Sequence, residues 1–375
     1  MFSYRHAFHA GNHADVLKHA ILVAILRHLA LKDKAFWVFD THAGAGRYRL
    51  DAAASSKNGE HEGGVMALWT ERRLPALLAD YRDEVARFDR VWRKHPGAEA
   101  GRAGPARRAG VPQDDLPAVP GWTADAPLPR AYPGSPWLAL QQMRPQDRLR
   151  CFEAHPTEVR VLQQALAPAG RQVQIFGEDG FEGLKALLPP VSRRGLVVID
   201  PSYEDKRDYA RARRTLIEAL ERFATGTMLL WYPLVRRREA MLLMEHLGRL
   251  PGARDWLDVR LQVCRPPDDG YGLYGSGVYV INPPYTLAPA LHEAMPVLHQ
   301  LLGLDETAGW WMQASDEGTP PARAAEGGGG AGRARTPGRP HGPGRPGTSP
   351  GAGRAARTMP ASSPARAPRA PRRQG

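Results

Sequence analysis

Residues 35–46 read AFWVFDTHAGAG, and this stretch decides the fold. Ala35–Asp40 is an apolar run too short for a helix and ends on an acid, the pattern of a short buried strand. Thr41-His42-Ala43-Gly44-Ala45-Gly46 follows, and Gly44 and Gly46 allow a backbone with positive φ to come close to a ligand. A dinucleotide-binding loop would carry a third glycine at position 49, where Arg49 stands, and no G-K-[ST] closes a P-loop. Upstream, Val16, Leu17, Ala20, Ile21, Ala24 and Ile25 recur at helical spacing behind the polar cap Asn12, so the spacing predicts a helix over Asn12–Leu31. Downstream, residues 65–93 suggest two helices. Strands are then expected at Arg148–Glu153, Val173–Phe176, Gly195–Asp200, Thr227–Tyr232, Trp256–Val263 and Ser276–Asn282. Helical patterns separate most of them, at Pro136–Met143, Pro156–Ala167, Phe181–Leu188, Tyr209–Ala224 and Arg236–Leu250. Such alternation means an α/β fold with a mostly parallel sheet covered on both faces. Ligands of these sheets sit at the carboxyl ends of the strands.

The 375 residues carry a net charge of +12, but unevenly. From Gly318 onward there are 11 arginines against one acid, Glu326, which places +10 in that segment. Residues 1–317 hold 40 basic and 38 acidic side chains, so the presumed folded body is nearly neutral and its charge alone does not indicate nucleic-acid binding. Residues 97–131 are rich in Pro, Gly and Ala without a period and read as a flexible insertion. The 314–375 tail, mostly Gly, Pro, Ala and Arg, is expected to be disordered because it has too little apolar surface to offset its ordering entropy. Two cysteines, Cys151 and Cys264, exclude a disulfide framework and a four-cysteine zinc site. No apolar run is long enough for a membrane helix and no signal peptide is apparent, so a cytoplasmic setting is expected.

Four strand exits carry polar motifs in a fixed order. After the glycine loop comes Glu153, an acid able to accept from both ribose hydroxyls of a nucleoside, or simply a solvated carboxylate. Glu178-Asp179-Gly180-Phe181 follows the third strand: Asp179 could accept from an adenine amino group or cap the next helix. Asp200-Pro201-Ser202-Tyr203 follows the fourth. A glycine loop, an acid, E-D-G-F and D-P-x-Y on four successive strands is the layout of class I methyltransferases. An adenine amine is a weak nucleophile because its lone pair is delocalised into the ring. The Asp200 carboxylate and the Pro201 carbonyl would accept its two N–H groups, and the Tyr203 ring would stack on a base drawn out of its helix. Neither cysteine lies in a Pro-Cys motif suited to attack on a pyrimidine. A rival motif, Asn282-Pro283-Pro284-Tyr285, also ends a strand, but it lies far downstream of E-D-G-F; Asp200 follows Asp179 at the spacing of one βα unit. Four histidines, His6, His9, His13 and His19, crowd near the start with Tyr4, Arg5 and Lys18. Their spacing matches no standard zinc motif, and no metal is expected.

Met1–Leu50, with YRHAFHAGNHADVLKH and DTHAGAGRY, resembles the bacterial 23S rRNA adenine-N6-methyltransferase family (RlmJ type), as do Tyr132–Pro136, Glu153–Pro156, Leu188–Asp200, Phe223–Pro233 and Val280–Tyr285. The resemblance covers about 1–96 and 132–312. It implies a Rossmann-like S-adenosylmethionine-dependent core at 1–52 and 132–313, with a small helical subdomain inserted at 53–131. It further implies donor binding by His19, His42, Ser135, Glu153, Asp179, Gly180 and Asp200, catalysis at Asp200, and contact of Tyr4 with 23S ribosomal RNA, His6 and Lys18 lining the same mouth. A monomer is expected. Ser202 departs from the family's second proline, and the 97–131 insertion and Arg-rich tail have no counterpart in it. A DNA-adenine or protein-amide methyltransferase shares the same D-P-x-Y chemistry, and a nonenzymatic RNA-binding protein could share the fold.

Overall fold

The first helix is buried nearly all round. The computed structural model describes residues 9–51, 59–94, 122–268 and 272–315. In it, α1 (His13–Ala30) begins at Asn12, whose side-chain oxygen accepts from the backbone N–H of Ala14 and Asp15. Val16, Leu17, Ile21, Val23 and Ile25 leave no surface to water, as a helix covered on several sides requires. After β1 (Trp37–Asp40), a short strand β2 (Arg47–Arg49) pairs antiparallel with β3 (Ala131–Pro133), so the intervening chain is an insertion closed by a two-stranded neck. The insertion carries one long helix, α2 (Ala76–Lys94). The first of the two helices expected there is only a 3₁₀ turn, Val65–Leu68, because Gly63-Gly64 and Pro75 bracket too short a run. Leu78, Tyr81, Val85 and Phe88 of α2 join the same apolar cluster as Leu17 and Ile21, so the insertion extends the core over α1.

The next elements follow the expected order: α3 (Ser135–Gln142), β4 (Arg148–Phe152), α4 (Pro156–Leu166), β5 (Val173–Phe176), α5 (Gly180–Leu187), β6 (Gly195–Ile199), α6 (Arg207–Arg222), β7 (Thr227–Leu234), α7 (Arg238–Leu247), β8 (Trp256–Gln262) and β9 (Gly275–Ile281); α8 (Leu287–Leu302) and β10 (Gly309–Ala314) are two further elements that the sequence reading did not include. Eight strands form one sheet in the order β5-β4-β1-β6-β7-β9-β8-β10. The first five run parallel. β9 runs antiparallel between β7 and β8, and β10 antiparallel along β8. Strand β10 escapes the sequence pattern because it is an edge strand with little burial on either face.

Side chains alternate between two cores. Val38, Leu196, Val198 and Leu229 face α1, α2, α3 and α8, while Phe39, Val197, Ile199 and Leu230 face α5, α6 and α7. Successive strands leave β1 in opposite directions, β4 and β5 to one side and β6 and β7 to the other. The crevice at that reversal is where ligands of open α/β sheets bind. Tyr4, Arg5 and His6, most of the 97–131 insertion and nearly all of the 314–375 tail lie outside the described residues. The end of that insertion departs from the flexible reading. Trp122 N–H donates to Asp83, Arg130 and Ala131 N–H donate to Asp89, and the Arg82 guanidinium stacks 3.5 Å from the Trp122 ring. These side-chain contacts to α2 leave no periodic trace in the sequence.

Candidate active site

The loop after β1 is pinned to its neighbours on both sides. Thr41 N–H and hydroxyl both donate to the Val198 carbonyl of β6, at 3.0 and 2.9 Å. Gly44 N–H donates 2.8 Å to Glu153 at the end of β4. Gly44 has φ +59°, and a Cβ there would meet the Tyr48 hydroxyl at 2.4 Å. Gly180 begins α5 hard against this loop: a Cβ would fall 2.0 Å from the Thr41 carbonyl, so only glycine fits. His42 stands edge-on to Phe181, ring centroids 4.6 Å apart. Burial pushes the His42 imidazole down to about 4; nearby Asp179 opposes the shift and Arg211 adds to it. The ring is therefore neutral at physiological pH.

The acids at this edge sit in different surroundings. Glu153 accepts from His155 N–H at 2.6 Å as well as from Gly44, and burial still raises its carboxyl above the usual range. Asp40, 1% exposed, accepts from Ser135 and from His42 N–H at 3.3 Å. Its Oδ2 is buried without a hydrogen-bond partner. Burial pushes Asp40 up to about 6; the Ser135 hydrogen bond opposes this and the Asp200 charge adds to it. Asp179 both caps α5, accepting from Phe181 N–H at 2.9 Å, and pairs with Arg211 at 2.6 Å. Burial alone would raise it, but the Arg211 contact outweighs that and holds it below the usual range.

Asp200 follows β6 and meets α1. Lys18 Nζ lies 2.5 Å from Asp200 Oδ2 and 2.9 Å from Asp15 Oδ1. Burial would lower this ammonium's pKa, yet Asp15 and Asp200 together raise it, so Lys18 stays charged. His19, 2% exposed, does not face an open mouth. Its Nδ1 lies 2.7 Å from the Tyr132 hydroxyl, which lies 2.8 Å from that of Tyr81 on α2. Pro201 is buried beside Asp200. Tyr203 differs from expectation: it takes φ +54°, is 2% exposed, and its hydroxyl donates to the Trp231 carbonyl at 2.8 Å.

The described residues of the expected site thus gather along one edge, at the ends of β1, β4, β5 and β6 and the start of α3. The rival Asn282-Pro283-Pro284-Tyr285 lies at the opposite edge, because β9 is antiparallel and Ile281 pairs with Met228 near the start of β7. The clustered histidines go to separate partners: His9 to Glu60, His19 to Tyr132. Among the described residues no group of three or more His, Cys, Asp or Glu could hold a metal.

The family model described as "Ribosomal RNA large subunit methyltransferase D, RlmJ" matches residues 33–100 and 122–314. The chain belongs to this family. It is similar to the ribosomal RNA large subunit methyltransferase J of Haemophilus influenzae, 38% identical over 315 residues that cover 84% of this chain and 98% of the relative. The protein of the same name from Escherichia coli K12 is 39% identical over 302 residues, covering 80% and 94%. A crystal structure of a Legionella pneumophila protein superposes with a TM-score of 0.65 at 29% identity, covering 82% of this chain and 99% of that one. The fold of this family member is the expected Rossmann-like methyltransferase core.

The edge fits S-adenosylmethionine by the chemistry of its acceptors. Glu153 takes only backbone donors on its two oxygens, and among the described ion pairs no lysine or arginine neutralises it, so it retains lone pairs for ribose hydroxyls. The unpartnered Asp40 Oδ2 is a buried negative group suited to a cationic ligand. Sequence reasoning left three contacts unseen: Asp40 as part of the site, the Lys18 ion pair with Asp200, and Arg211 on Asp179. Asp40 left a signal, an acid closing an apolar strand before a glycine loop. The two ion pairs left none, since Lys18 is 182 residues from Asp200 and Arg211 is 32 from Asp179.

Proposed function

We propose that this chain transfers a methyl group from S-adenosylmethionine to the N6 amine of an adenine in 23S ribosomal RNA. Asp200 is the acceptor that makes the amine nucleophilic. The observation that carries the reading is the position of Asp200, at the carboxyl end of β6, on the same edge as Glu153 and the glycine loop and held by Lys18. Lys18 occupies Oδ2, which leaves Oδ1 to accept one amine N–H, and the Pro201 carbonyl accepts the other. With both hydrogens held, the nitrogen lone pair is drawn out of conjugation and aimed. Asp200 then takes the proton that the methylated nitrogen sheds and passes it to water. Bound S-adenosylmethionine supplies an electrophilic methyl on a sulfonium, which needs no metal. On this reading Glu153 would orient the donor's ribose, Asp179 and Gly180 would flank its adenine, and His42, Ser135 and Asp200 would complete its pocket, while His19, which the resemblance also implies there, is enclosed against Tyr132. Rate enhancement on this scheme comes from orientation and fixed charge rather than a covalent intermediate.

Tyr4 is assigned to the RNA by the family resemblance. No described helix is long and apolar enough to cross a membrane. We place the reaction in the cytoplasm because its substrate is ribosomal RNA, and we propose a monomeric enzyme. The test is transfer of labelled methyl from S-adenosylmethionine to unmodified large-subunit rRNA, followed by nucleoside analysis. N6-methyladenosine at one site is expected. Label in DNA or protein instead would retain the fold and retire the substrate.

A further inference from the structure

The acid that the family resemblance assigns to the donor's adenine does not stand alone. Asp179 caps α5, and its two oxygens have different partners. Oδ1 accepts from Phe181 N–H at 2.9 Å, and Oδ2 lies 2.6 Å from Nη2 of Arg211. The side chain is nevertheless 43% exposed. A carboxylate has about four acceptor positions, so these two bonds leave room for a ligand.

Arg211 belongs to α6, the helix that follows the Asp200–Tyr203 turn, and is 32 residues from Asp179. An exposed ion pair contributes little, because two mobile side chains must be ordered to form it. This guanidinium is ordered by further neighbours. Its Cζ lies 4.4 Å from the Phe181 ring centroid, and its Nη1 lies 3.6 Å from Asp208, one turn earlier on the same helix. Phe181 is itself 5% exposed and meets His42 edge-on. Arg211 is thus fixed between α6 and the start of α5, and its planar fork sets the direction of the Asp179 carboxylate.

We propose that Arg211 is a positioning residue that orients Asp179 toward the methyl donor and makes this site select a 6-amino over a 6-oxo purine. The inference rests on reading Asp179 as the acid beside the donor's adenine. Adenine presents an amine at C6, and hypoxanthine a carbonyl. An ionised carboxylate accepts from the amine and repels the carbonyl oxygen, whereas a protonated carboxyl donates to that oxygen. Burial alone would raise Asp179, and Arg211 holds it below the usual range. Among the described residues, the other titratable groups around the pair are His42 after β1, Asp208 on α6 and Glu182 on α5. A neutral imidazole and two acids cannot replace the guanidinium. Without Arg211, Asp179 takes up a proton at higher pH, and the acceptor that reads the amine is lost on acidification.

Calorimetry of the full-length protein with S-adenosylhomocysteine and with S-inosylhomocysteine, its 6-oxo counterpart, tests this without turnover. Wild type is expected to bind the adenosyl compound on the order of 10- to 100-fold more tightly, with a preference that changes little between pH 8 and pH 5. In Arg211→Ala the preference is expected to shrink about threefold at pH 8 and about tenfold at pH 5. Arg211→Lys retains the charge and is expected to retain the acid-insensitive preference. Other acids at this edge titrate in every variant, so the quantity read is the change in preference. An Arg211→Ala preference equal to wild type at both pH values overturns the inference. So does an equal loss of affinity for both ligands, the mark of a purely structural ion pair. Should Arg211→Ala fail to fold, Arg211→Gln carries the same expectation against Arg211→Lys. Asp179→Ala separates the two levels. Unchanged affinities in that variant put the donor's base elsewhere and remove the Asp179 reading together with the inference. A lost preference there, beside a wild-type preference in Arg211→Ala, removes only the inference.

Discussion

Two strand exits in this protein carry nearly the same four residues, and they lie at opposite edges of one sheet. Asp200-Pro201-Ser202-Tyr203 leaves a parallel strand among ligand-binding loops. Asn282-Pro283-Pro284-Tyr285 leaves an antiparallel strand at the far edge. The second is the cleaner amine-methyltransferase motif, yet its polar atoms are committed to the fold. Asn282 takes φ +51°, its amide donates to the carbonyls of Ala224 and Gly226 at 2.9 and 2.7 Å, and its own carbonyl accepts from Thr227. Tyr285 is 84% exposed and meets His28 edge-on. Asp200 instead bonds to a buried lysine at the edge that carries the glycine loop, and Tyr203 is buried. On the proposed reading, the same local chemistry becomes a site or a brace according to strand direction.

Exchanging the polar head of each motif tests this contrast most severely. Asp200→Asn keeps the shape but loses the anionic acceptor, and kcat is expected to fall on the order of 10²–10³-fold while circular dichroism shows the fold intact. Retained turnover in this variant, together with loss in Asn282→Ala, would reverse the assignment of the two edges.

The edge that carries Asp200 also bears a charge cost. Asp40 has a folded pKa raised from 3.8 to about 6, chiefly by burial. The folded state holds this proton more tightly than the unfolded chain does. The resulting stability is full below about pH 4 and is lost as pH rises through about 6. Asp40→Asn is therefore expected to stabilise the protein by about 3 kcal/mol at pH 8 and hardly at all at pH 4, read as the difference in denaturant midpoint between the two pH values. The same variant should bind S-adenosylmethionine more weakly, since it removes a buried negative group. An equal stability change at both pH values would show that the charge is not the cause.

Smaller effects are expected at the far edge. Asn282→Ala removes two amide hydrogen bonds and should cost about 1–2 kcal/mol in chemical denaturation, with kcat within twofold of wild type. Tyr285→Ser should change neither stability nor turnover measurably, as the side chain is largely in water. A marked loss of methylation in Tyr285→Ser would mean that this edge, too, meets the RNA.

Much of the architecture was legible from residues near in sequence. The run AFWVFD, the E-D-G-F cap and the strand GLVVID each announce an element and its exit locally, so order and spacing sufficed to place Asp200 one βα unit after Asp179. Contacts between distant segments were not legible. Lys18 and Asp200, or Tyr203 and Trp231, meet only once α1 and adjacent strands have packed. The Tyr203 ring is buried on a residue with a positive φ, for which a non-glycine residue gives no sequence signal. Strand β10 was missed because an edge strand with little burial needs no alternation.

The sequence by itself determined the α/β class, the order of strands and helices, the glycine loop, the acids that end the strands and the family to which the chain belongs. The first four follow from periodicity and local turn chemistry, which act over a few residues; the family follows from the resemblance of long motifs such as YRHAFHAGNHADVLKH. Only the tertiary structure decided at which end of the strands each of two similar motifs lies, which oxygen of Asp200 is already taken, and that the Tyr203 ring beside it is enclosed. Those outcomes depend on strand direction and on packing between segments far apart in the chain, where burial and charge are set by neighbours that no local pattern specifies.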